Sequence, residues 1–272
     1  ITDNESAPTV TLSVSATSIA ENAGSSLTLT ATLSGAADEA VTVSLSTSST
    51  AIESTDYTDG SGNIDDITIS AGDTTGTVNF TPTDDSVYEG NETAIIAISG
   101  VSGADATENG TQTVTITITE NESAPTITLT RSAASIDENS GSTITLTATI
   151  SGVTDSAVTV ALSTSGTATE GTDYGTISDI TISAGATTGT ATLDPTDDNV
   201  YEDDETATID ISSVSGKSGV TENSTQQVSV TISENESAPT VTLATSATSI
   251  AENAGSSLTL TATSSVATTA DV

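Results

Sequence analysis

The chain has 272 residues, with 38 acidic side chains against two basic ones (Arg131 and Lys217), and it has no Cys, His, Met or Trp. Those absences exclude a disulfide framework, a thiolate metal site, a cysteine nucleophile, a Ser-His-Asp triad and a histidine-ligated zinc. A formal charge of −36 excludes nucleic acid and an anionic membrane surface as partners.

In chain order, the first segment is Ile1–Thr9 (ITDNESAPT), which returns as ITENESAPT at Ile118–Thr126 and as ISENESAPT at Ile232–Thr240, spacings of 117 and 114 residues. A period of that length is one ordinary domain and too long for a solenoid unit. Between the first two copies, apolar residues alternate with Ser and Thr in seven runs. These are Val10–Val14, Leu27–Leu33, Val41–Leu45, Ile67–Ile69, Val78–Phe80, Ala94–Ile98 and Val114–Ile118. Period-2 alternation bounded by Gly, Asp, Asn and Pro predicts strands with one buried face. High charge with 2% aromatics is also the profile of a disordered chain, but a disordered chain has no reason to alternate. Seven short strands per repeat predict an all-β fold of tandem seven-stranded antiparallel β-sandwiches, Ig-like in architecture. The expected domains are an exit segment at 1–8, sandwiches at 9–122 and 123–236, and a partial third repeat at 237–272. Ala247–Thr263 is identical to Ala16–Thr32, the mark of a duplicated array. No apolar run approaches the roughly 20 residues of a membrane helix. With no signal peptide and Ile as residue 1, a mature form or a window of a longer chain is expected.

Strand parity then sorts the acids. With strands lettered A to G, the A–B, C–D and E–F loops share the end of the sandwich at which G exits. Glu21, Glu53, Asp56, Asp84, Asp85, Glu89, Glu92, Glu120 and Glu122 fall at that end. In the second copy Asp137, Glu138, Glu170, Asp173, Asp197, Asp198, Glu202, Asp203, Asp204, Glu205, Glu234 and Glu236 do the same. Carboxylates about 4 Å apart repel by roughly 4 kcal/mol at an effective dielectric near 20, so such a tip calls for cations. Hard oxygen donors without His or Cys select Ca²⁺ over Mg²⁺, which keeps its waters. The tyrosines Tyr57, Tyr88, Tyr174 and Tyr201 lie in the same loops and are expected to plug the sandwich mouth.

The segments Asp84–Glu92 and Asp197–Glu205 share the pattern DDxxYExxE. Each follows an Asp-Tyr pair (Asp56-Tyr57, Asp173-Tyr174) and a Glu-Asn-x-Gly turn (Glu21–Gly24) or its counterpart Glu138–Gly141. This combination resembles the Calx-β family, the calcium-binding sandwich of sodium/calcium exchangers that also occurs in tandem in large bacterial surface proteins. The resemblance implies several Ca²⁺ ions per repeat at the inter-domain end. The implied ligands are Glu21, Asp56, Asp84, Asp85, Glu89, Glu92, Glu120 and Glu122 in the first repeat. In the second they are Glu138, Asp173, Asp197, Asp198, Glu202, Glu205, Glu234 and Glu236, and Asp3, Glu5 and Glu252 occupy the equivalent positions of the flanking partial copies. The strand-G exit is Glu-Asn-Glu rather than the family's run of Asp.

The function expected from these readings is that of an extracellular, non-enzymatic structural module. It would be a Ca²⁺-rigidified stalk or filament of a bacterial adhesin whose partners are neighbouring copies of itself. Two alternatives are a Ca²⁺-sensing regulatory pair and a fibre subunit that polymerises by strand donation. A carboxylate-pair hydrolase is disfavoured by the shortage of aromatic residues for sugar subsites.

Overall fold

The computed structural model describes residues 6–253 and 255–269, and among these the regular structure is all strand. The chain divides into two compact units, Ile1–Ala124 and Pro125–Val272.

Unit 1 contains β1 (Thr9–Val14), β2 (Ser18–Ala20), β3 (Leu27–Leu33), β4 (Val41–Ser49), β5 (Tyr57–Thr58), β6 (Ile67–Ile69), β7 (Thr75–Pro82), β8 (Glu92–Ser102), β9 (Thr107–Glu108) and β10 (Thr113–Thr119). They form two sheets, ordered β5-β7-β3-β1-β9 and β2-β10-β8-β4-β6. The alternation is realised face by face: Leu27, Leu29, Ala31 and Leu33 of β3 point inward and are buried, and the intervening threonines are half-exposed. Val41, Val43, Ile96 and Ile116 meet them from the opposite sheet, each fully buried. Tyr57 closes one end of this core, stacked on Phe80 with ring centroids 4.5 Å apart, a geometry worth about 0.5–1.5 kcal/mol beyond the area it buries.

All seven expected strands are present, and the first is divided between the sheets. β1 pairs antiparallel with β3, and after a short bend β2 pairs parallel with β10. In β4 the register slips by a bulge between Ser44 and Leu45. The Leu45 N–H there donates to Asp66 Oδ1 at 3.1 Å, so one acid is spent on satisfying a backbone group that the bulge would orphan.

Unit 2 repeats the plan with β11 (Thr126–Arg131), β12 (Ser135–Asp137), β13 (Ile144–Ile150), β14 (Val158–Gly166), β15 (Ile180–Ile182), β16 (Thr188–Leu193), β17 (Val200–Tyr201), β18 (Glu205–Ser215), β19 (Thr221–Glu222) and β20 (Gln227–Ser233). Its sheets are ordered β16-β13-β11-β19 and β12-β20-β18-β14-β15. Asp179 Oδ1 caps the corresponding bulge at the Leu162 N–H, 3.0 Å away.

The unit ends with β21 (Val241–Thr245), β22 (Leu260–Ser264) and β23 (Ala267–Thr268). β21 and β22 form a hairpin in the register of β1 and β3. Its apolar face is bare: Val241, Leu243 and Leu260 are 53%, 70% and 65% exposed, and their counterparts Val10, Leu12 and Leu29 are buried.

Candidate metal centres

Parallel pairing builds the acidic tip. Because β2 runs alongside β10, the two strands release their chains at the same end. The Glu21 N–H donates to the Thr119 carbonyl at 3.1 Å, which sets Glu21 next to Glu120. The β4–β6 connection is tied to the same end by the Thr83 N–H, which donates to the Asp56 carbonyl at 2.9 Å. The segment from 83 to 91, between β7 and β8, then crosses the tip with the rest of the acids. Unit 2 is assembled alike, with the Glu138 N–H on the Ser233 carbonyl at 3.1 Å and the Thr196 N–H on the Asp173 carbonyl at 3.0 Å.

Each tip gathers its carboxylates into two triads. In unit 1 these are Glu21–Glu120–Glu122 and Asp56–Glu89–Glu92; in unit 2 they are Glu138–Glu234–Glu236 and Asp173–Glu202–Glu205. Within a triad one oxygen of each residue lies within 4.8 Å of the others. Oxygens on opposite sides of a Ca²⁺ ion are about 4.8 Å apart at the usual bond length, so every triad has the reach to embrace one ion. The donor set is carboxylate oxygen throughout, the chemistry Ca²⁺ favours. Glu122 Oε2 is buried without a hydrogen-bond partner, as expected of an atom whose natural partner is a cation. In unit 2 a cavity of about 10 Å³ is lined by Glu138, Asp173, Glu202, Asp203, Glu205 and Glu234 over Ile232, space for about one water-sized particle.

The electrostatics without an ion are unfavourable in both tips. Burial pushes the Glu21 carboxyl up to about 7, with Glu120, Glu122 and Asp85 adding repulsion. Burial and Asp173 raise Glu205 to about 7, and the Glu234 carboxyl raises Glu236 to about 7. Glu138 and Glu202 are raised by burial first and by neighbouring carboxylates second. Glu120 goes the other way. Burial pushes it up, but the Glu122 carboxyl and the N–H groups of Glu122, Glu89 and Gly90 hold it below its ordinary value. Its Oε2 accepts from Glu89 and Gly90 at 2.6 Å each, and its Oε1 accepts from Asn121 and Glu122 at 2.9 Å each. Glu120 is therefore a preformed anion, and Glu122 beside it is driven toward the protonated form.

Asp84, Asp85, Asp197 and Asp198 lie beside the triads and belong to none of them. Asp85 Oδ1 accepts from the Val87 N–H at 2.6 Å, and the Asp85 N–H donates to Glu21 Oε1 at 3.4 Å. Asp198 does the same with Val200 and Glu138, at 2.6 and 3.0 Å. Glu252 is exposed. Asp3 and Glu5 lie outside the described residues.

Two other acids at this end are structural. Glu53 accepts from Thr47 Oγ1 at 2.9 Å and from the Ile64 N–H at 2.5 Å. Glu170 accepts from Thr164 Oγ1 at 2.7 Å and from the Ile177 N–H at 3.2 Å. Of the tyrosines, Tyr57 and Tyr174 are buried in the mouth of each sandwich, and Tyr88 and Tyr201 are half-buried. The sequence reading missed Asn91, whose side chain accepts the Glu120 N–H at 3.0 Å. It placed Asp203 and Asp204 at the tip but outside the implied ligands; Asp204 accepts the Glu234 N–H at 3.0 Å, and Asp203 lines the cavity of unit 2. Their positions inside DDxxYExxE were the available signal.

The Calx-beta domain family matches residues 3–122 and again 120–236. No curated protein matches the chain. Among solved structures, CBD12 from CALX1.2 is 17% identical over 82% of this chain and 99% of that one, with a TM-score of 0.36. The apo-form Calx CBD1 domain is 22% identical over 42% of this chain and 99% of that one, at 0.33. The adhesin InvE of Yersinia pseudotuberculosis is 14% identical over 82% of this chain and 58% of that one, at 0.37.

Proposed function

The chain belongs to the Calx-beta family, and from that premise we propose that it is a Ca²⁺-stiffened structural module, a stretch of stalk or filament in a bacterial surface protein. The observation that carries this reading is the pairing of two carboxylate triads at each tip. Glu21, Glu120 and Glu122 would hold one ion and Asp56, Glu89 and Glu92 another, with the corresponding sets in the second repeat. A bound ion supplies positive charge that lets all of these carboxylates stay ionised at once. The residues do the remainder. Backbone N–H groups fix Glu120 and Glu234 in place, and the β2–β10 pairing fixes Glu21 against them.

Glu120 and Glu122 belong to the same short stretch as Pro125, where the second repeat begins. Immobilising that stretch restricts the direction in which the chain continues. Ions also offset the self-repulsion of a chain at −36. Modules of this kind outside the cell bind Ca²⁺ at about 10⁻⁴–10⁻³ M, so the proposal places the protein outside the cell and assigns it no catalysis. No helix among the described residues is long and apolar enough to cross a membrane. Its partners are further copies of the same repeat.

The test is thermal melting of the whole chain in EDTA and across a Ca²⁺ titration, with small-angle scattering at both ends. A melting temperature that climbs with Ca²⁺ by mass action, with an extended particle that narrows its conformational spread near millimolar Ca²⁺, supports the proposal. Identical melts in EDTA and in 10 mM Ca²⁺ would overturn it.

A further inference from the structure

Resting on that Ca²⁺ reading, we infer that the two tips are graded: the second repeat takes Ca²⁺ more tightly than the first, because Asp203 and Asp204 stand where the first has Gly90 and Asn91. The crossing segments are otherwise matched in their charged residues, Asp84, Asp85, Glu89 and Glu92 against Asp197, Asp198, Glu202 and Glu205. Two additional carboxylates are therefore concentrated in one tip.

The second position of the pair is a clean comparison. Asn91 Oδ1 accepts the Glu120 N–H at 3.0 Å, and Asp204 Oδ1 accepts the Glu234 N–H at 3.0 Å. The side chains hold one place in the fold and differ by one unit of charge. At the first position the change is one of both charge and backbone. Gly90 adopts φ +73°, a left-handed conformation that glycine enters without strain. That conformation turns its N–H onto Glu120 Oε2 beside the N–H of Glu89, so four backbone donors already neutralise part of Glu120. In the second repeat Glu234 takes N–H groups from Glu202, Asn235 and Glu236, and Asp203 is among the residues that line the cavity. The first tip directs four backbone N–H groups onto Glu120. The second directs three onto Glu234 and adds two carboxylates, charge that a bound cation offsets.

Ligand charge is a principal determinant of affinity in oxygen-donor Ca²⁺ sites. A carboxylate about 7 Å from a divalent ion changes its binding constant by roughly threefold to tenfold in a water-like dielectric, less as salt screens it. The pair should separate the tips by roughly ten- to a hundredfold at low salt.

The experiment is calorimetric Ca²⁺ titration of the full chain after chelator stripping, at low and at high KCl. It compares the parent with Asp204→Asn, Asp203→Gly with Asp204→Asn, and Asn91→Asp. The expected result is two affinity classes in the parent that approach each other at high salt. Asp204→Asn weakens only the tighter class, the double variant merges the classes, and Asn91→Asp tightens only the weaker one. A single class in the parent, unmoved by any of these changes while Ca²⁺ still binds, overturns the grading and leaves the Ca²⁺ reading standing. An Asp204→Asn chain that melts lower in EDTA with unchanged affinities also overturns it, by showing that Asp204 acts on the fold alone. Failure of every variant and of the parent to bind Ca²⁺ overturns both.

Discussion

The two repeats take the same corner out of their fourth strand with different residues. β4 ends on Ser49 at φ +105°, and β14 ends on Gly166 at φ +118°. A Cβ at Gly166 would fall 2.0 Å from the Thr206 carbonyl, so glycine is the natural solution there. Ser49 carries its side chain in the same left-handed region and takes a 2.6 Å hydrogen bond to Thr93 Oγ1 in return. The floor of the mouth differs as well: Tyr57 stacks on Phe80, but the residue of β16 corresponding to Phe80 is Leu193. The first repeat relies on an aromatic pair and tolerates a strained serine, and the second uses a simpler core and an unstrained turn. Near-identical strand patterns therefore do not imply equal stabilities.

The largest effect that would sharpen this contrast comes from the aromatic pair. Phe80 is fully buried, and Phe80→Ala should destabilise the first repeat by about 3–5 kcal/mol. Calorimetry of the full chain should show one transition moved down and the other in place. If Leu193→Ala lowers its transition as far as Phe80→Ala does, the stacked pair adds nothing beyond volume.

Next in size is the response to pH in EDTA. Glu21 in the first repeat and Glu205 in the second both titrate near 7 when folded and near the ordinary 4.5 when unfolded. Between those values the folded state binds more protons, so stability falls as pH rises from about 4.5 to about 7. The chelated protein should melt higher at pH 5 than at pH 8, by about 5 °C or more, and saturating Ca²⁺ should erase or invert that order. A flat profile in EDTA would show that the carboxylates are relieved without protons, by movement of the tip.

The smallest effect is at the corner itself. Ser49→Gly should stabilise the first repeat by about 0.5–1 kcal/mol, relief of strain outweighing the lost hydrogen bond, and Gly166→Ser should cost the second repeat more than that. Equal and opposite shifts would mean that the two corners are interchangeable.

Which parts of this were legible follows from what each residue does. The strands were readable because burial on one face forces Val, Leu and Ile to alternate with Thr, and the divided first strand was not. The bend between Val14 and Ser18 contains no Gly or Pro, and three residues of β2 are too few to display a period. At the tip the sequence located the acids correctly by end. Strand parity alone could not separate Glu53, whose oxygens are engaged by Thr47 and Ile64, from Glu89 and Glu92, because carboxylates used as backbone caps and as ion ligands look alike in a string of letters; only the family resemblance left Glu53 out of the implied ligands. Asp84 and Asp85 stand out most in the motif, yet Asp85 spends one oxygen on its own loop.

The parallel pairing of β2 with β10, and of β12 with β20, also has a mechanical meaning. The first of these strands lies near the start of its repeat and the second near the end. Traction on the two ends of a repeat slides them past each other along their length instead of peeling them apart. The hydrogen bonds at Ser18, Ile19 and Ala20 are then strained together and must rupture as a group. Each bead resists tension by shear, most stiffly at the edge from which its acidic tip is hung.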